Sequence, residues 1–223
     1  MIDRFEQLLK ENVYSQRDLD NSVALVSTGA NVTLIIQLLW FLLEPMTIHS
    51  ILRPRKGLPA FTEGLVNQLA ADLQRINLLG VKKVVAATLP LLGCLPIHII
   101  PPNTYQNCDE EYNKNAKIHN QLLQKAVEKL NTDDGNKSTF VILDLYNAMV
   151  SAIDQFRQNA TNTACKNPLQ PCCSKTVEYI CSAEGLCSSP KSSFFFDLAH
   201  PSDNGAWNVI YSFLQVNLRF HPL

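Results

Sequence analysis

The chain has 223 residues, 46% of them hydrophobic, and a formal net charge of −1. That composition suits one globular domain over residues 1–223 and excludes a disordered chain. With no basic stripe, nucleic acid is not expected as a partner. The first segment, MIDRFEQLLKENVY, spaces Ile2, Phe5, Leu8 and Leu9 as a helix does. Acidic residues interrupt it and no small-residue cleavage site follows, so it is not read as a signal peptide. Val23 to Ser27, in SVALVSTGAN, reads as a buried strand entering a glycine turn. The apolar run at 33–48 contains Gln37 and Glu44 and is broken by Pro45, so it falls short of the roughly 20 residues of a membrane span. No transmembrane segment is expected.

GLPAFTEGLVNQLAADLQRINLLG reads as an amphipathic helix with Leu65, Leu69, Leu73 and Ile76 inward and Gly80 as its stop. VKKVVAATLPLLGCLP is a second apolar strand running into a loop. Asp109 to Leu130 is a helix with Ile118, Leu122, Leu123 and Val127 on one face; His119 in it is expected to be partly exposed. STFVILDLY is a third strand, and Leu145 to Phe156 a helix. Pro201 to Leu218 closes the chain as a helix with Trp207, Ile210, Tyr211 and Leu214 inward. Alternating helices and uniformly apolar strands indicate an α/β fold, a parallel sheet covered on both faces.

Of seven cysteines, five lie between Cys165 and Cys187. No C-x-x-C pair or histidine accompanies them, which favours disulfides over zinc and implies an oxidising compartment. Sequons at Asn31, Asn136 and Asn159 agree with secretion.

In a parallel sheet, functional groups collect beyond the carboxyl ends of the strands. That rule gathers Asn31, after STG, with Asp197 and His200 in FFFDLAHPSD, if Phe194 to Phe196 form a short strand. A carboxylate three residues before a histidine can hold one ring nitrogen and leave the other to act as base. A surface ion pair before a helix, with Pro201 at its first position, is the alternative. The Asn31 amide can donate to a developing oxyanion; ordinary turn chemistry or a glycan are its alternatives. His49, His98 and His221 have no partner spacing.

Four ordered segments carry a resemblance. STGAN is similar to a G-x-N-D block, LLGVKKVVAATLPLLGCLP to a strand ending in P-P-L-G-C-x-P, CCSKTVEYICSAEGLC to a cysteine-rich loop, and FFFDLAHPSD to a closing F-W-D-x-x-H-P-T-E block. Together they resemble the plant-type GDSL esterase/lipase family of the SGNH hydrolases. The resemblance implies a flavodoxin-like three-layer αβα fold and hydrolysis of small-molecule or lipid esters through an acyl-serine, without metal or organic cofactor. His200 would be the general base, Asp197 its orienting acid and Asn31 an oxyanion donor. It also suggests a Cys94–Cys108 bridge; Cys172, Cys173, Cys181 and Cys187 would form two more of open connectivity, with Cys165 left over. The family is secreted.

The family's nucleophile is the serine of a G-D-S-L block, and no GDS occurs in these residues. By the resemblance the chain begins after that block, so the nucleophile, a second oxyanion donor, the first strand and a signal peptide are expected to be absent. Ser27 lacks the strand–turn–helix elbow of a nucleophile. Val32 and Phe196 replace the family's aspartate and tryptophan. The expectation is a GDSL-type ester hydrolase that is inactive as given; the alternatives are a catalytically dead relative that binds esters or proteins, and a nonfunctional remnant. Without a neighbour, Val23 to Ser27 would form a bare sheet edge open to self-association.

Overall fold

The computed structural model describes residues 1–28, 54–99, 105–133, 135, 139–158, 167–173, 176–177, 180–182 and 185–220. Asn31, Asn136, Asn159, Cys165, His49, His221 and the apolar run at 33–48 therefore lie outside the described residues. The chain forms two compact units: Met1–Leu89 with Lys117–Leu143, and Pro90–Ala116 with Asp144–Phe220.

The first unit holds a parallel sheet of order β1-β2-β3, formed by Val23–Val26, Lys83–Ala87 and Phe140–Leu143. Its register pairs Ala24 with Val84 and Val84 with Phe140. Each strand is rich in β-branched residues, which pack well on a pleated surface. One face is covered by α1 (Ile2–Lys10), α3 (Pro54–Leu78) and α4 (Glu110–Asp133). Val66, Leu69, Leu73 and Ile76 of α3 and Leu123 and Val127 of α4 form a core with Val84, Ala86 and Phe140. The short α2 (Gln16–Asp20) is capped reciprocally: Ser15 Oγ accepts the Asp18 N–H, and Asp18 Oδ2 accepts the Ser15 N–H. Gly80 ends the α3 turn beside Leu19 and Gln16 at φ 114°, a backbone conformation that side chains other than glycine rarely adopt. The fold class is α/β with a parallel sheet, consistent with a three-layer αβα arrangement.

Three local expectations are corrected here. Val23 and Leu25 of β1 are 48% and 64% exposed, so this strand is not buried on both faces. Among the described residues β1 pairs with β2 alone. The inward residue in α3 is Val66, and the neighbouring Leu65 is half-buried, because the stripe follows the sheet surface rather than the bulkiest side chains. His119 is 1% exposed, and among the described residues neither of its ring nitrogens has a hydrogen-bond partner. Its helix presents Ala116, His119, Leu123 and Val127 at three- and four-residue spacing, so the imidazole occupies a core position.

The second unit contains α5 (Leu145–Gln158), a two-stranded antiparallel hairpin of β4 (Thr176–Val177) and β5 (Ile180–Cys181), a π-helix (Asp203–Trp207) and α6 (Asn208–Phe220). Asp144 caps α5 through the Asn147 N–H at 3.1 Å. The final helical segment begins at Asp203, not Pro201, which is instead bridged to Phe195. Its buried face is Ala206, Ile210 and Leu214, while Trp207 and Tyr211 are exposed. The π-turn inserts a five-residue closure, Trp207 N–H to Ser202 O at 3.1 Å, and resets which residues face inward. Three disulfides are present: Cys94–Cys108, Cys172–Cys187 and Cys173–Cys181.

Candidate active site

The Asp197–His200 turn is built on a buried aromatic base. Phe194 and Phe195 are fully buried, and Phe194 meets Phe156 of α5 edge-on at 5.1 Å. Phe194 to Phe196 do not form a regular strand; Phe195 is held by isolated bridges to Pro171 and Pro201. The cysteine-rich segment supplies the pairing. Cys172 N–H donates to Phe195 O at 3.0 Å and Cys173 N–H to Phe196 O at 2.8 Å. Both donors belong to disulfide-bonded residues, so the cross-links sit directly against the turn. Ser202 N–H donates to Phe194 O at 2.7 Å, and Ser202 Oγ donates to Ser193 O.

Within the turn, Phe196 N–H donates to His200 O at 2.9 Å and closes the loop. Asp197 Oδ1 accepts the Ala199 and His200 N–H groups at 2.8 and 2.7 Å. This is an Asx-type turn, in which a short carboxylate side chain takes the place of a backbone acceptor. The same carboxylate reaches His200 Nδ1 at 3.0 Å from Oδ1 and 2.8 Å from Oδ2. An ionised carboxylate only accepts, so Nδ1 carries the proton and Nε2 presents its lone pair.

The two side chains differ in exposure: 23% for Asp197 and 78% for His200. Burial pushes the Asp197 carboxyl up. The Ala199 N–H, the His200 ring and the His200 N–H together outweigh burial and hold it below the usual carboxylate range. Asp197 is thus a fixed anion held against an exposed imidazole.

The sequence-predicted pair is brought together; the third candidate, Asn31, lies outside the described residues. Ser27 follows the end of β1 and is exposed. Among the described residues no group of three His, Cys, Asp or Glu side chains is arranged to hold a metal ion. No described helix is long and apolar enough to cross a membrane.

Sequence reasoning missed a further contact to this turn. Ile97 N–H donates to Leu198 O at 2.9 Å, between the two candidate residues. The available signal was polar residues at core register of a helix. Asn113 is buried and binds the Gly93 N–H at 2.9 Å. Asn120, seven residues on, brackets Leu89 with bonds of 2.7 and 3.0 Å.

A family model described as GDSL-like lipase/acylhydrolase matches residues 47–210. The chain is 37% identical over 228 residues to GDSL esterase/lipase At3g09930 of Arabidopsis thaliana, which covers 98% of this chain and 60% of that protein. To GDSL esterase/lipase At5g03610 of the same plant it is 36% identical over 227 residues, covering 97% and 59%. To GDSL esterase/lipase At2g36325 it is 34% identical over 229 residues, covering 98% and 59%. The chain therefore spans about 60% of the length of these curated relatives.

Proposed function

The chain belongs to the GDSL-like lipase/acylhydrolase family, and on that premise we propose that it carries the acid–base half of a serine ester hydrolase. The observation that supports this reading is the 2.8 Å contact between Asp197 Oδ2 and His200 Nδ1. His200 Nε2 takes the proton of an attacking serine hydroxyl as the hydroxyl oxygen bonds the ester carbonyl carbon. It then gives that proton to the departing alcohol. The resulting acyl-serine is hydrolysed by a water that His200 deprotonates in turn. Asp197 stays ionised throughout and stabilises the imidazolium. Asn31 is assigned as a donor to the oxyanion, and a small-molecule or lipid ester as substrate. The chemistry is placed outside the cell, in keeping with the three disulfides.

The attacking serine is the part for which these residues offer no candidate. No GDS occurs among them, and Ser27 lies in S-T-G-A-N rather than in a G-x-S-x-G elbow. We read the 223-residue polypeptide alone as hydrolysing esters negligibly, since loss of the nucleophile costs about 10⁶ in kcat. Two assays test this. The 223-residue chain is expected neither to turn over nitrophenyl esters nor to be labelled by a fluorophosphonate; stoichiometric labelling of one serine overturns the inactive reading. If transcripts encode an in-frame G-D-S segment ahead of Met1, that longer protein is expected to hydrolyse the esters and to lose activity on His200→Ala. Full activity in His200→Ala overturns the catalytic reading.

A second reading has its own support. The exposed Val23 and Leu25 of β1, a strand that among the described residues pairs with β2 alone, favour strand addition, by a second copy or by another strand. A chain that stays monomeric at high concentration in light scattering counts against self-association.

A further inference from the structure

We propose that the turn at residues 92–98 is the buttress of the Asp197–His200 pair, and that Asn113 is a positioning residue for His200. The inference rests on the catalytic reading for its functional meaning, and on geometry alone for its mechanics.

The link is the bond from Ile97 N–H to Leu198 O at 2.9 Å. Leu198 is the first of the two residues between the candidate acid and base. Asp197 Oδ1 already holds the next two N–H groups, of Ala199 and His200. The Ile97 bond holds the carbonyl end of the Leu198–Ala199 peptide whose N–H Asp197 Oδ1 accepts, so that peptide is fixed at both its polar atoms. On the opposite flank, the Cys172 and Cys173 N–H groups hold Phe195 and Phe196. The turn is therefore held just before Asp197 by the Cys172 and Cys173 N–H groups and just after it by the Ile97 N–H.

Ile97 can act as a clamp only if its own segment is rigid. Four ties connect that segment to residues 108–113. Gly93 O accepts the Asp109 N–H at 2.8 Å, and Asn113 Oδ1 accepts the Gly93 N–H at 2.9 Å in a buried setting. Cys94 is bonded to Cys108. The His98 ring stacks on Tyr112 with centroids 3.8 Å apart and planes 25° apart. Gly93 has no room for a Cβ, which would collide with the Asp109 carbonyl and press on Asn113. Such a close approach of two backbones is a reason for glycine that turn chemistry does not supply. Asp109 itself caps α4, receiving the Glu111 N–H at 2.9 Å, so the anchor is the first turn of a 24-residue helix.

The consequence concerns the His200 tautomer. Which ring nitrogen carries the proton is set by the hydrogen bond the other atom makes, and that depends on the turn keeping the carboxylate at Nδ1. Loosening the 92–98 segment frees Leu198 and with it the Asx turn.

The test reads the ¹⁵N shifts of the His200 imidazole, which report the tautomer without any catalysis. In the unmodified chain the Nδ1–H form is expected to dominate. Asn113→Leu, which removes the acceptor for Gly93, should shift the population toward Nε2–H; Asn113→Asp, which keeps an acceptor oxygen, should restore Nδ1–H. A purely structural Asn113 would change melting temperature and leave the tautomer as it is. A folded Asn113→Leu with unchanged shifts overturns the proposal. Should that variant fail to fold, hydrogen exchange on the unmodified chain decides. The Ile97 amide is expected to exchange at least about a hundredfold more slowly than an unprotected amide, and an unprotected rate overturns the buttress. If the tautomer responds as stated while His200→Ala retains hydrolysis in a serine-bearing form, the catalytic reading fails and the buttress stands.

Discussion

Asp197 holds His200 twice, taking its main-chain N–H at 2.7 Å and its ring Nδ1 at 2.8 Å. The first contact sets the backbone of the turn and the second sets the ring, so one carboxylate fixes both where the imidazole is and which way it faces. The ring remains largely in solvent while its anchor does not. That asymmetry suits the proton-accepting role proposed for His200.

Replacing this carboxylate by an amide should separate position from tautomer. In a serine-bearing form, Asp197→Asn is expected to lower kcat about 10⁴-fold, with KM little changed. The Asp197 carboxyl is held below its usual range, so its stabilisation is fully present above an unfolded value of about 3.9. It is lost as pH falls through the folded value. Comparing acid unfolding of Asp197→Asn with the unmodified chain should show this loss removed; superimposable acid limbs would disprove it.

His119 is a core residue whose two ring nitrogens find no partner among the described residues, and burial pushes its pKa down to about 4. Between about pH 6.5 and 4 the unfolded chain binds a proton that the folded one refuses, so stability falls as pH falls, by up to about 3 kcal/mol. His98 Nε2 is likewise unpaired, and burial, partly offset by Asp109, pushes that ring down to about 4. His119→Leu fills similar space without unpaired polar atoms, and should stabilise by about 1–2 kcal/mol at pH 7. Denaturant titrations at pH 7 and 4.5 should show a smaller pH difference in the variant.

Gly93→Ala introduces a methyl where the Asp109 carbonyl already sits. A cost of about 1–3 kcal/mol is expected, read as a lower denaturation midpoint. Gly64→Ala, with nothing within 4 Å of its added Cβ, serves as the control and should not lower stability.

Removing the Cys172–Cys187 bridge by a double Ser substitution should cost about 3 kcal/mol, given its sequence separation of 15. Because Cys172 N–H holds Phe195 O, near-ultraviolet dichroism of the Phe194–Phe195 cluster should change as well. Unchanged spectra would show that the pairing survives without the cross-link.

Leu25→Lys places a charge on the exposed face of β1, the usual device for blunting an edge. If that strand drives association, the variant should stay monomeric at concentrations where the unmodified chain does not. Equal behaviour in sedimentation would remove the edge from consideration.

Local period and local chemistry were open to reading from sequence. The apolar runs at 23–26, 83–87 and 140–143 became strands, and the three- and four-residue spacings became helices, because backbone geometry alone links those patterns to those elements. Asp197 and His200 were also legible, since three residues around one turn bring a carboxylate to an imidazole without help from the rest of the chain. What a partner surface decides was not legible. Val66 rather than Leu65 faces the core, Ala206 rather than Trp207 faces inward, and His119 is enclosed, because rotation about a helix axis is set by what packs against it. The pairing of Cys172 with Cys187 and of Cys173 with Cys181 depends on how the intervening loop closes. The bond from Ile97 to Leu198 joins segments about a hundred positions apart in sequence, and no local rule couples their backbones. The sequence by itself determined which residues can form an acid–base pair; the tertiary structure decided what holds that pair still, because rigidity is a property of contacts between distant segments.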